Sequence, residues 1–412
     1  LIKKISEGIC MIINKNFSNL LYGRFLVNMG DSLYYITIMW LIYDLTKNTL
    51  FTGVAGALFM LPEIFSVFYG PIIDKCNKKK FLIIFSLLQA LLMLVICIFF
   101  LYDKGNVLSV ILIAIPFLAF LSEFTYPLEN VLIPRFVEKN ELTKANSIMS
   151  IAADGVDLVF NAVSGLLIAI TTISSILLGN SLLFLFAAFF FYRLTIKRET
   201  QKHQKMNFKE SKEEYYQDLK EGLAFVKRKD ILELIIPFLM LNLLLAIFNV
   251  NLPAISSSIS YSAVSYGLLL TASGLGSVAG ASISQYISNK FKIGTIIIST
   301  VMLYGCAWLI GILLGSFYIY IFAFLASIFI GIINVVFTVL FQQLPPENLL
   351  GRVNTTIKTL ITIFMPLGAL VGGWIPMIFG VNNTILLSSG LIILLGIILL
   401  LMSSIRNKEL NM

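Results

Sequence analysis

Long apolar runs recur along the chain, separated by short polar turns, and within each run apolar residues do not alternate with polar ones. In lipid, backbone groups find partners only within helices or closed barrels, and barrel strands would alternate. A helix needs about 20 apolar residues to cross the hydrocarbon core. The pattern therefore predicts an all-α membrane protein with twelve transmembrane helices, at 18–44, 50–73, 81–102, 107–128, 145–170, 172–195, 231–258, 262–287, 294–314, 317–340, 353–379 and 383–404. Composition agrees, since 58% of the 412 residues are hydrophobic and only 13% are charged. A soluble chain of this length could not cover so much apolar surface.

The one long polar segment runs from Lys197 to Asp230 and divides the chain into two pseudo-symmetric six-helix bundles, 1–196 and 231–412. Between them, 197–230 is read as a cytoplasmic linker. Its first part is too charged to bury a core and reads as a tether. Tyr216, Leu219, Leu223 and Val226 then follow at helical spacing, which predicts an amphipathic helix on the membrane surface; a regulatory docking site is the alternative. An internal repeat links the halves. Asn140, Leu142, Lys144 and Asn146 lie over Asn348, Leu350, Arg352 and Asn354 at a constant offset, each set between the fourth and fifth spans of its half. Two such halves are the arrangement of one large class of secondary transporter.

Charge sets the orientation. If both termini are cytoplasmic, the inside segments hold Lys75, Lys78, Lys79, Lys80, Arg135, Lys139, Lys144, Lys290, Lys292, Arg352 and the linker cluster, while the outside loops hold only Lys47 and Lys104. That is the positive-inside pattern of a multi-pass protein of the cytoplasmic membrane. The net charge of +8 thus records topology and implies no nucleic-acid partner. Cys10, Cys76, Cys97 and Cys306 form no C-x-x-C pair and are expected as free thiols. The N-terminal segment lacks a signal-peptide pattern, so the first span is expected to target the chain. Leu1 points to an unusual start codon or a trimmed Met.

Residues 70–80 read GPIIDKCNKKK, with one acid among lysines. A carboxylate at the cytoplasmic end of the second span can cap the positive N-terminus of another helix, while the lysines bind acidic lipid headgroups. Simple enforcement of topology is the alternative. Gly70, Asp74, Lys78 and Lys79 fill the pattern G-x-x-x-D-x-x-x-[RK]-[RK], and through it the chain resembles the major facilitator superfamily. GDSLYYITIMWLIYDLT, LKEGLAFVKRKDILELI and ENLLGRVNTTIKTL are similar to the drug:proton antiporter branch that contains macrolide-efflux (Mef-type) proteins and the enterobactin exporter. This resemblance covers the whole chain. It implies proton-coupled efflux by alternating access, with a small-molecule substrate and protons as partners, membrane lipids around it, a monomeric state and no cofactor. It also implies that Asp74 latches onto the start of span eleven, around Arg352 and Asn354, to close the cytoplasmic side. Two stretches depart from the pattern. The second-half loop GASISQYISNKFK has no acid at the Asp74 position, and span five reads DLVFNAVSG where related antiporters carry a Gly-Pro pair.

Ionisable groups at membrane depth cost about 2.5 to 3.5 kcal/mol each, so they ask for a reason. Arg24, Asn28, Asp31 and Tyr35 fall on one face of the first span, and Asn146, Ser150, Asp154, Asp157, Asn161 and Ser164 form a stripe in the fifth. Glu63 follows Pro62 in the second span, and Glu123 lies near Tyr126 in the fourth. Asp31, Glu63, Glu123, Asp154 and Asp157 are the proton-coupling candidates; structural pairing with Arg24 or Lys358, or exposure near a span end, is the alternative for each. Arg24, Asn28, Tyr35, Asn161, Asn242, Asn249 and Lys358 are the candidates for a substrate cavity. Gly276 and Gly280, like Gly368 and Gly372, have the spacing of closely packed helices, and Pro62, Pro366 and Pro376 predict kinks.

An enzyme is disfavoured. The single histidine, His203, sits in the linker, and the chain has no Walker lysine motif, nucleophile elbow or metal-ligand cluster. Export of a hydrophobic or amphipathic compound is the main reading, macrolide-like by resemblance. Export of an endogenous metallophore, peptide or lipid is the alternative, followed by a non-transporting receptor or scaffold. The acids suit cationic drugs, whereas an anionic cargo needs basic cavity groups, for which Arg24 and Lys358 are the evident sources.

Overall fold

The structure is a computed structural model that describes residues 14–65, 69, 73, 76–138, 141–195, 224–260, 263–315, 317–343 and 350–402. The helices are α1 (Lys15–Thr46), α2 (Thr49–Ile64), α3 (Lys78–Tyr102), α4 (Val107–Phe136), α5 (Leu142–Ser150), α6 (Val156–Ile170), α7 (Ile173–Tyr192), α8 (Lys229–Ile259), α9 (Ala263–Ser288), α10 (Ile293–Leu314), α11 (Tyr318–Gln343), α12 (Leu350–Thr362), α13 (Met365–Phe379) and α14 (Val381–Leu401). Polar residues in the turns start several of them. Asn48, Asn77 and Thr172 accept hydrogen bonds from the backbone N–H groups of Leu50, Lys80 and Ser175, which caps α2, α3 and α7. Gly315 and Gly380, with φ of 66° and 79°, end α10 and α13 in a conformation that a Cβ would strain.

Among the described residues, ten helical stretches are long and apolar enough to cross a membrane, and α2 is a shorter apolar helix. Two expected spans are interrupted. The fifth consists of α5 and α6 joined by a π-helical turn, Ile151–Gly155. The eleventh breaks into α12 and α13, with Pro366 in the first turn of α13, where its missing N–H leaves no intrahelical bond unmade. The fourth is longer than its apolar run predicts: α4 continues past Pro127 to Phe136. The linker through residue 223 lies outside the described residues, and with it most of the expected amphipathic helix.

The chain falls into two compact units. One comprises Leu1–Ile38, Phe68–Phe160 and Thr171–Lys212, the other Met39–Val67, Asn161–Ile170 and Glu213–Met412. In the first, α3 packs along α7 and against α4, and Ser181 donates to the Ala90 carbonyl at 2.9 Å. In the second, α9 packs along α11, α10 against α11 and α14, and α13 against α2 and α8.

Small residues set the approaches in the second unit. Gly276 and Gly280 bring the α9 backbone onto the carbonyls of Phe324 and Ile328 in α11, and Gly368 and Gly372 bring α13 onto α8. Where α2 crosses α13, a Cβ on Gly53 would lie 2.7 Å from both the Ala369 carbonyl oxygen and the Gly373 Cα. Thr49 Oγ1 donates to the Gly373 carbonyl at 2.9 Å beside this contact, and Asn251 Nδ2 to the Gly372 carbonyl at 2.7 Å. Gly53→Val should therefore cost about 1 to 3 kcal/mol through overpacking, seen as a lower thermal midpoint of the purified protein. Gly390→Ala, inside α14 and with nothing within 4 Å of the added methyl, should not lower the midpoint.

Candidate functional site

The polar groups of the first unit gather where α1 meets α4. Arg24 is 7% exposed, and its Nη1 lies 3.1 Å from Oε2 of Glu129, which is fully buried. The guanidinium also sits over the Tyr126 ring, 4.3 Å from its centre. Glu129 was absent from the expected site because the apolar run of the fourth span stops at Leu128. The usable signal was Arg24 itself, a charge at depth that needs a partner, together with the helical spacing that puts Glu129 on the Tyr126 face.

Two turns further along α1, the Asp31 carboxyl accepts from Ser122 Oγ at 2.5 Å and from Gln89 Nε2 at 3.3 Å. Gln89, on α3, is fully buried and was not among the expected residues. The neighbouring Ser32 Oγ lies 2.5 Å from Asp157 Oδ1 and 3.0 Å from the carbonyl of Asn28, which is itself buried. Tyr35 and Glu123 are half-buried, on α1 and α4. The stripe expected along the fifth span assumed 3.6 residues per turn throughout. The π-helical turn at 151–155 shifts the phase of everything after it, so Asn146 and Ser150 do not continue onto the face of Asp157 at that spacing. Asp154 lies within the turn and Asn161 within α6, and their side chains are outside the described residues.

In the second unit Glu63 of α2 pairs with Lys358 of α12 at 3.3 Å, which is the structural pairing weighed for it above. Asn242 and Lys358, both expected cavity residues, line one cavity of about 170 Å³ between α8, α11 and α12, whereas Asn249 is exposed on α8 and does not line it. Of the expected latch, Gly70 and Asp74 lie outside the described residues, as do the side chains of Arg352 and Asn354 in α12. Lys78 and Lys79 form the first turn of α3, with the Lys79 ammonium 5.3 Å from the centre of the Tyr192 ring.

A sequence profile of the Major Facilitator Superfamily matches residues 20–368. The chain belongs to this superfamily. It is 24% identical to the uncharacterized MFS-type transporter YfiS of Bacillus subtilis (strain 168), a match spanning 96% of this chain and 95% of that one. It is 23% identical to macrolide efflux protein A of Streptococcus pyogenes, over 91% of this chain and 93% of the relative. Its fold is similar to the crystal structure of the nucleoside transporter NupG, with a TM-score of 0.73 at 14% identity over 94% of this chain and 99% of that one. A bacterial homologue of the iron transporter ferroportin, in an inward-facing state, is similar at a TM-score of 0.68 and 18% identity over 93% and 98%. These two likenesses concern fold alone.

Within this superfamily transporter the buried Glu129 carboxyl and the half-buried Asp31 carboxyl differ in what a proton would do to them. A guanidinium keeps its charge, so protonating Glu129 would strand Arg24 as an uncompensated buried cation. The hydrogen-bond partners of Asp31, Ser122 and Gln89, are neutral, and among the described residues no lysine or arginine lies within ion-pair distance of it. The Ser122 hydroxyl can donate to a carboxylate or accept from a carboxyl group. Gln89 Oε1, buried without a hydrogen-bond partner, offers a second acceptor once the amide turns over. Glu129→Gln should destabilise the protein by about 3 to 5 kcal/mol, because it leaves Arg24 charged and unpaired. Arg24→Met combined with Glu129→Leu should recover most of that loss, and thermal denaturation of the purified single and double variants measures the difference.

Proposed function

We propose that this transporter exports an amphipathic organic compound across the cytoplasmic membrane in exchange for protons, with Asp31 as the proton carrier. The observation that carries the reading is the surroundings of Asp31, a membrane-depth carboxyl held by groups that serve its charged and its neutral form alike. A carboxyl that alternates between such a site and water changes its proton affinity with each exchange of access, which is what coupling requires. Both termini are cytoplasmic in this proposal, the halves 1–196 and 231–412 rock about a central cavity, and the Asp74 loop latches the cytoplasmic side. A relative named as a macrolide efflux protein makes macrolides the first cargo to try. Export of an endogenous acidic product is the second reading, favoured by Lys358, the one charged side chain among the described residues that line the α8–α11–α12 cavity.

Inverted membrane vesicles containing the protein, given either a labelled macrolide or 2-naphthoate under an imposed pH gradient, test this directly. At least one compound should accumulate, and the accumulation should vanish when the gradient is collapsed. Asp31→Asn should abolish the gradient-driven component while leaving cargo equilibration without a gradient. If neither compound responds to the gradient, the export reading falls. If accumulation survives in Asp31→Asn, the proton resides elsewhere.

A further inference from the structure

The cavity between α8, α11 and α12 has a composition that names a ligand class. One wall is aromatic: the rings of Phe238 and Phe337 are centred 4.3 Å apart and tilted by 58°. Asn242, Asn334, Thr362 and Lys358 supply the polar part of the lining, and aliphatic side chains complete it. Among the described residues Lys358 is the only charged one of the lining, so the cavity presents a cation, amide dipoles and a hydroxyl beside a hydrophobic face. At about 170 Å³ it is smaller than the roughly 300 to 1,000 Å³ typical of sites that enclose a drug-sized molecule, and it suits one end of a ligand.

Glu63 supplies the second observation. It lies outside the lining but pairs with Lys358 at 3.3 Å, and the Lys358 side chain is 71% exposed. An ion pair whose cation is so open to its surroundings is held weakly and exchanges readily. A carboxylate that arrives with an aryl or alkyl body gains apolar burial against Phe238 and Phe337 in addition to the charge contact, and Glu63 gains nothing comparable.

We propose that this cavity is a binding subsite for the acidic end of an amphipathic carboxylate, in which the ligand takes Lys358 from Glu63. The subsite rests on the transport reading above for its purpose, since it names the cargo class of the exporter. Glu63 is then an internal competitor. It pairs with Lys358 when the cavity is empty and is released when the cavity fills.

The sign of two substitutions tests the exchange. Labelled 2-naphthoate is titrated onto the full chain in lipid nanodiscs, with empty nanodiscs as the blank and 2-naphthylmethylamine as competitor. Saturable naphthoate binding is expected. Lys358→Gln should weaken it by about tenfold or more, and Lys358→Arg should retain it. Glu63→Gln should tighten it by roughly two- to fivefold, because one competitor for Lys358 is gone. The amine should not compete. Absent saturable binding, indifference to Lys358→Gln, weaker binding in Glu63→Gln, or better competition by the amine each overturns the proposal. Because binding needs no gradient, the two readings fail separately. Naphthoate binding of the expected pattern without gradient-driven flux leaves the subsite standing and removes the exporter. Asp31-dependent flux of the macrolide without naphthoate binding does the reverse.

Discussion

A charge carried from water into a close-packed bundle of helices has to find either an opposite charge or dipoles that replace its hydration. On α1 both solutions occur, and together they fix how α1 lies on α4. Arg24 meets Glu129, and Asp31 meets Ser122. Seven residues separate the first pair of positions along α1, and seven separate the second pair, in the opposite direction, along α4. At 1.5 Å per residue both intervals rise about 10.5 Å, so the two contacts can close together only when the helices run antiparallel in this one register. A shift by one turn would leave the guanidinium without its carboxylate.

Elsewhere the bilayer removes the driving force on which soluble bundles rely, because lipid tails are as apolar as the side chains they would replace. The second unit answers with contact between backbones. Gly53 and Gly373 let α2 touch α13, and Gly276 and Gly280 let α9 touch α11. Hydrogen bonds that cross between helices, such as Thr49 to the Gly373 carbonyl and Asn251 to the Gly372 carbonyl, then fix each contact at one height. The break between α12 and α13 lies just before this region, so the tight packing belongs to α13 while Lys358 belongs to a separate helical segment.

Features that depend on composition were legible from the residues alone. The apolar runs located the helices, the glycine spacings anticipated close packing, and Pro366 marked an interruption. What escaped was whatever depends on a partner far away in sequence. Glu129 looked like the end of a span because nothing near it in the chain shows that Arg24 faces it. Gln89 looked like one polar residue in an apolar helix, although it holds Asp31. The π-helical turn at 151–155 escaped for a different reason: a stripe is read by assuming a constant period, and one extra residue in a turn breaks the assumption without changing the composition.

The two ion pairs mark opposite uses of the same chemistry. Arg24–Glu129 is sealed from water, so parting it is prohibitively costly, and its role is to hold geometry. In Glu63–Lys358 the lysine is largely exposed, so parting the pair costs less, and the proposed exchange with a competing anion draws on that. Asp31 stands between these extremes, deeply placed but surrounded by groups that can reverse the direction of their hydrogen bonds. The proton-coupled export proposed for this transporter draws on all three behaviours: a fixed register for its helices, a group that can change its protonation without breaking them, and a contact that cargo can replace. Burial and the identity of the neighbours, more than residue type, decide which carboxylate takes which role.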